Sequence, residues 1–368
     1  MADPSTYYLL PPEAYWSDVW FDHEQRELFG HSWHLAADAA ELAEPGAFVT
    51  LFAGADPLVV VRGTDGDLRC FHNLCRHRGM LLLTDAGRTR AGIRCPYHLW
   101  NFGLDGELRN VPQEEQFCGL DKAEWGLLPG SVGQWGGLVF AHPDADAPPV
   151  HRWLGDLPVN VGSFRPEILQ EVGGLTLDAR CNWKLFVENH VDVLHLWYLH
   201  ARSLNDFEHS AFEWHQLDRN WASYEPVRKG IGAPKLSAST TSIEHLDERD
   251  RRGLGAHAAF PNVLMATSAE FFATYVARPT GPASMQVDLR VRAEPDADPT
   301  QLLGSLQSFI LEDIAGCEGV QATIRSSRFG VGPLAEQHER PIMLFQQHLL
   351  DALGGPPPTA GTPVEVRA

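Results

Sequence analysis

Two short runs constrain this chain more than anything else in it. Cys75-Arg-His77 and Cys95-Pro-Tyr-His98 put one cysteine and one histidine on each of two loops, with residues 78–94 between them. Two thiolates and two imidazoles brought together can hold zinc or an iron–sulfur cluster. Either way the intervening chain must fold back on itself, so the surroundings should be a small, hairpin-rich β unit. Short apolar runs at 48–52, 57–61, 68–72, 92–95 and 138–140, separated by Gly, Asp and Pro turns, match that expectation. Cys70, Cys118, Cys181 and Cys317 lack a histidine at ligand spacing and read as small buried apolar residues.

A chain of 368 residues has room for two or three compact units. Large apolar residues from Tyr15 to Trp33 recur every three to four positions, which predicts helix over about 10–40, ended by Glu44-Pro45-Gly46. His142–Pro149 reads as a linker. Beyond it the texture is mixed: helix over 182–197, strands over 259–293, and helices over 301–323 and about 337–353. The expected partition is 1–45 as N-terminal helices, 46–150 as the small β unit, 151–353 as a larger α+β unit and 354–368 as a disordered tail. The fold class is α+β.

A formal net charge of −19 argues against nucleic-acid or anionic-membrane partners, which would repel it. No apolar run is long enough to span a bilayer, and the N-terminus lacks the pattern of a secretion signal. A cytoplasmic protein is expected.

The second dense run is Asn182-Trp-Lys-Leu-Phe-Val-Glu188-Asn189-His-Val-Asp192-Val-Leu-His195-Leu-Trp-Tyr-Leu-His200. On a helix, Glu188, Asp192 and His195 share a face, and His200 can turn back toward the same point. Two imidazoles with one carboxylate on one side of Fe(II) leave positions open for O2 and substrate. The third ligand must come from elsewhere. Asp313 lies inside an apolar helical stripe of Leu306, Phe309, Ile310, Ile314 and Cys317, where a carboxylate needs a partner or a metal. His190 and the remaining histidines carry no such pattern and read as ordinary surface or core residues.

Together these runs resemble the α (oxygenase) subunits of Rieske non-haem iron oxygenases, the aromatic-ring-hydroxylating family. The match extends to Arg78-Gly79, Pro96-Tyr97, Trp100, Asn182-Trp-Lys, Glu188-Asn189 and Glu312-Asp313…Glu318…Gln321, and covers nearly the whole chain to about residue 353. Leu99 departs from it, standing where the family most often has glycine. The resemblance implies a small antiparallel β Rieske domain and a helix-grip-like catalytic domain. It implies a [2Fe–2S] cluster on Cys75, His77, Cys95 and His98, with a potential of roughly −150 to +300 mV, and Fe(2+) on His195, His200 and Asp313. Asp192 would link His195 to cluster ligand His98 of the partner subunit, which requires a ring of subunits, most simply a homotrimer. Asn189 would sit beside the iron, with Phe186, Met265, Phe271, Phe272 and Tyr275 as pocket walls.

The implied reaction is O2-dependent mono- or dioxygenation, or oxidative demethylation, of a small organic substrate. Electrons would come from NAD(P)H through a separate ferredoxin or flavin reductase, and a β subunit is compatible with the pattern. Arg69, Arg76, Arg78, Arg88, Arg90 and Arg94, against the single acid Asp85, read as a docking face for an acidic redox partner. Two other classes differ in what they predict. A Rieske electron-transfer protein would carry no mononuclear iron, and a zinc module would be colourless.

Overall fold

The computed structural model describes residues 9–200, 204, 206–230, 236, 241–330 and 332–357. The chain separates into two compact units. One comprises Phe29–Pro158 with Arg165–Glu171, and the other the N-terminal segment to Leu28, Val159–Phe164 and everything from Val172 onward.

The first unit is built from β1 (His34–Asp38), β2 (Ala47–Ala53), β3 (Asp56–Arg62), β4 (Leu68–His72), β5 (Ala86–Arg88), β6 (Ile93–Arg94), β7 (Asn101–Phe102), β8 (Leu108–Asn110), β9 (Pro129–Trp135) and β10 (Leu138–His142). Seven of these form an antiparallel sheet in the order β1-β10-β9-β4-β3-β2-β5, and β6-β7-β8 form a second one. Strand β3 reads as an unbroken apolar run because both of its faces are buried. Val59 and Val61 join a cluster with Phe71, Cys75, Cys95, Trp100 and Phe102, while Leu58 and Val60 join Ala37, Val49 and Val139. The metal-loop cysteines are thus anchored in one of the two cores of the unit.

The N-terminal expectation needs correction. Helix is present as α1 (Asp18–His23) with short 3-10 and π segments at Pro12–Tyr15, Glu24–Leu28 and Phe29–His31, but residues 34–38 form β1, paired with β10. The small unit therefore begins at Phe29 rather than 46. Apolar periodicity finds the helix, but a five-residue strand held by a partner about 100 positions away leaves no local signature.

The second unit carries a seven-stranded sheet in the order β11-β17-β16-β15-β14-β13-β12. Its strands are β11 (Gln170–Ala179), β12 (Glu213–Leu217), β13 (Asn220–Pro226), β14 (Gly253–Ala259), β15 (Val263–Ser268), β16 (Phe271–Gly281) and β17 (Ser284–Ala293). The short α2 (Val150–Leu154) still belongs to the first unit and α3 (Leu157–Asn160) spans the boundary; the helices of the second unit are α4 (Trp183–Val191), α5 (Glu248–Arg251), α6 (Pro299–Thr323) and α7 (Arg340–Leu353). Asn182 starts α4 by accepting a hydrogen bond from the Lys184 amide at 3.0 Å, and Asp298 caps α6 with Pro299 in its first turn.

Helix α4 ends at Val191, not near 197. Asp192 has extended backbone, and its Oδ1 accepts from the Leu194 amide at 2.7 Å, a local turn that competes with helix continuation. Glu188 consequently does not share a face with Asp192 and His195. It lies in the core, accepting from Tyr15 Oη at 2.6 Å and Gln346 Nε2 at 2.9 Å. One turn earlier, fully buried Lys184 pairs with fully buried Glu24 at 2.5 Å, so residues 15–24, α4 and α7 share one polar network. Of the tail expected to be disordered, residues 358–368 lie outside the described residues.

Candidate metal centres

The two cysteine-histidine loops have the same backbone plan. Gly79 N–H donates to Cys75 O at 2.8 Å, and Leu99 N–H donates to Cys95 O at 3.1 Å. Each closing residue is left-handed, with φ +70° at Gly79 and +60° at Leu99. Glycine adopts this geometry freely, whereas a leucine is strained by about 1–2 kcal/mol.

The loops bring all four donor side chains together. Cys75 and Cys95 are each 1% exposed, and their thiols contact one another. Burial pushes the Cys75 thiol above its ordinary value, with Cys95 adding to the effect. The His77 and His98 rings lie 4.8 Å apart at 68°. His77 stacks on Trp100 at 5.0 Å and meets Phe117 edge-on, while Tyr97 stacks on His98 at 3.8 Å. Burial, then the neighbouring His98, keeps His77 below its ordinary pKa and hence neutral. Its Nδ1 is buried with no hydrogen-bond partner, as a metal-binding nitrogen would be. Two thiols and two imidazoles so arranged fit a [2Fe–2S] centre.

In the second unit, donor atoms of His195, His200 and Asp313 all lie within 4.8 Å of one another. His200 follows the short turn after α4, and Asp313 projects from the middle of α6. Asp313 Oδ1 is 2.8 Å from His200 Nε2 and 3.5 Å from His195 Nε2, and accepts from Asn189 Nδ2 at 2.8 Å. Both rings turn their other nitrogen to a carboxylate. His200 Nδ1 is 2.8 Å from Glu312, and His195 Nδ1 is 3.5 Å from Asp192, a contact without hydrogen-bond geometry. Phe309 stacks on His200 at 3.9 Å, fixing the ring plane. Burial works against a charged His200, but Asp313 and Glu312 outweigh it and raise its pKa. A metal would replace that attraction and displace the proton, so the donor set fits a facial Fe(II) site.

His195 and Asp313 open on a cavity of about 1090 Å³, a volume that includes its open mouth, while His200 is buried behind them. Phe186, Trp221, Phe271, Tyr275 and Phe309 line it together with several leucines, and its polar part is Asn189, His190, three serines, His195 and the nearby carboxylates. Three of the expected wall residues are present. Phe272 packs on Phe164 instead, and Met265 is fully buried outside the lining.

The structure adds three residues that sequence reading missed. Glu312 and Phe309 fix His200, and His190 lines the cavity. The first two could be read from their position one residue and one turn before Asp313. For His190 the signal was only its adjacency to Asn189.

The chain matches the family model for the ring hydroxylating alpha subunit (catalytic domain) over residues 166–355 and that for the Rieske [2Fe-2S] domain over 32–129. The carnitine monooxygenase oxygenase subunit of Acinetobacter pittii is 31% identical over 66% of this chain and 66% of its own length. The biphenyl 2,3-dioxygenase subunit alpha of Rhodococcus jostii is 32% identical over 70% of this chain and 53% of its own length. The chain thus spans just under two thirds, or less, of these curated relatives. Among solved structures, a quaternary ammonium Rieske monooxygenase superposes with a TM-score of 0.81 at 23% identity, covering 95% of this chain and 97% of that one. Naphthalene 1,2-dioxygenase from Rhodococcus sp. does so with 0.74 at 21% identity, covering 96% and 95%. Both likenesses concern the fold.

Proposed function

The chain belongs to the Rieske ring-hydroxylating oxygenase family, and on that premise we propose that it is the oxygenase component of a multicomponent system hydroxylating a small organic substrate with O2. In this reading Cys75 and Cys95 hold one iron of a [2Fe–2S] cluster, His77 and His98 hold the other, and His195, His200 and Asp313 hold Fe(2+). The observation that carries it is the convergence of those last three donors within 4.8 Å, two of them, His195 and Asp313, at the wall of an aromatic-lined cavity.

When bound, the cluster supplies single electrons and the iron supplies O2 activation. Glu312 holds the Nδ1 side of His200 and Asp192 approaches that of His195, with both Nε2 atoms turned toward Asp313. Asn189 donates to Asp313 and keeps the carboxylate in that orientation. The aromatic walls exclude water and suit a flat apolar substrate. Among its described residues the cavity carries carboxylates and no lysine or arginine, which favours a substrate lacking a carboxylate, in the manner of biphenyl rather than carnitine.

Asp192 is the residue we assign to electron transfer between subunits. It keeps an approach to His195 and is 15% exposed, so its carboxylate can also meet His98 of the partner subunit. Exposed Met80, Tyr97 and Leu99 around the cluster loops, and exposed Tyr198 and Leu199 beside His200, support such an assembly, with a homotrimer as the simplest ring. Inter-subunit electron transfer is named for the quaternary ammonium monooxygenase. Electrons enter from NAD(P)H through a ferredoxin or flavin reductase, in the cytoplasm. No helix among the described residues is long and apolar enough to cross a membrane.

The test is metal analysis with single turnover. The reading requires three irons per chain, a Rieske EPR signal, and 18O from 18O2 in the product when pre-reduced protein meets biphenyl or naphthalene. Two irons with no O2 uptake would assign the chain to Rieske electron transfer alone.

A further inference from the structure

His190 is the largest polar side chain of the cavity, among the described residues, that the chemistry above leaves without a task. It sits in the last turn of α4, next to Asn189, and lines the cavity between Tyr275 and Trp221, whose rings are 6.1 and 6.4 Å away. Its Nε2 lies 3.0 Å from the carbonyl of His257 on β14. A carbonyl only accepts, so Nε2 carries the ring proton, and the Met265 carbonyl also acts on the ring. Burial pushes the pKa down to about 4, so the ring is neutral at working pH. A neutral imidazole with its proton at Nε2 has a lone pair at Nδ1. The ring's hydrogen-bond partners among the described residues are backbone carbonyls, and Nδ1 is not among the sealed, unsatisfied buried atoms.

We propose that His190 is a substrate-positioning residue, whose Nδ1 accepts a hydrogen bond from an O–H or N–H group on an otherwise apolar aromatic substrate. The proposal rests on the oxygenase reading and narrows its substrate class to ring compounds bearing such a donor, phenolic or indole-like. An acceptor beside Asn189 would fix which edge of the ring faces His195, His200 and Asp313, while the aromatic walls supply affinity without orientation. A hydrocarbon without a donor could bind but would lack a fixed register.

The experiment uses metal-replete protein and two probes, indole and 1-methylindole, which differ at the donor. Calorimetry should give indole the lower Kd by about five- to tenfold, the value of one net hydrogen bond. In His190→Phe, which keeps an aromatic wall, the ratio of the two Kd values should fall to about one. His190→Leu serves the same comparison if the phenylalanine variant loses its iron. A ratio near one in the parent, an unchanged ratio in the variants, or no binding of either probe would overturn the proposal. The oxygenase reading is scored separately by iron content and 18O incorporation into naphthalene, so failure of one is distinguishable from failure of the other.

Discussion

Asp313 Oδ1 faces two imidazole nitrogens and one amide donor at 2.8–3.5 Å, which puts it at the centre of the proposed iron site. Asp313→Ala should therefore lose the mononuclear iron and leave the Rieske spectrum intact; three irons per chain in that variant would disprove the ligand assignment. Asp192 acts differently, since its side chain approaches His195 and is not one of the three converging donors. Asp192→Asn should retain all three irons and lower turnover by about 10–100-fold, the usual cost of removing a carboxylate behind a ligand histidine. Near-normal steady-state rates would show that the link between subunits runs elsewhere. Leu99 offers a test of strain. Relief of its left-handed backbone, less the chain entropy of a glycine, should make Leu99→Gly more stable by up to about 1 kcal/mol in denaturant titrations. A loss of stability would mean that the leucine's contacts outweigh its backbone. At this scale the sequence was most informative where ligands are close together in it. Both cysteine-histidine pairs lie within four-residue spans, so spacing alone exposes them. His190 and Phe309 gain meaning only when α4, the turn after it and α6 meet, and no local spacing records that approach.

At the level of elements, α4 carries Asn189 into the site and is itself held by buried ionisable groups. Glu188 is raised by burial to about 7, against which Tyr15, Gln346 and Lys184 pull downward. The sign follows from linkage. An acid whose folded pKa exceeds its unfolded one favours the folded state while protonated, so stability present below about 4.5 is lost as pH rises through about 7. Glu188→Gln keeps the acceptor for Tyr15 and the neutral shape. It should match the parent's melting temperature near pH 5 and exceed it at pH 8. A pH-independent difference would mean that another group titrates. Helices α6 and α7 were legible from apolar stripes and caps, and the matched Glu318 and Gln321 prove to be braces. Their side chains accept from the Arg180 and Asn182 amides at 2.9 and 2.8 Å, fixing the start of α4 against α6. The early end of α4 was not legible, because Asp192 reads equally well as a helical residue until its side chain is seen bonded to its own backbone.

For the whole molecule, the arginines near the cluster remain a local contrast to a net charge of −19, but not all are available. Arg69 is paired with Asp65 at 2.6 Å and Arg88 with Glu44 at 3.6 Å, whereas Arg90 and Arg94 are exposed and have no ion pair among the described residues. Arg90→Glu with Arg94→Glu should slow reduction by an acidic ferredoxin and flatten its salt dependence, since attraction over about 8 Å is lost at physiological ionic strength. Chemically pre-reduced variant should still complete one turnover at the parent's rate; an equal deficit there would place these arginines in the fold. The division into two units has a consequence for how such a protein matures. On the proposed ligand assignment each set is complete within its own unit, so insertion of the cluster and capture of the lone iron would be independent events with separate yields. Only the first of them colours the protein. A preparation can thus be fully brown and partly inert, and batches of identical hue can differ several-fold in specific activity until the third iron is counted.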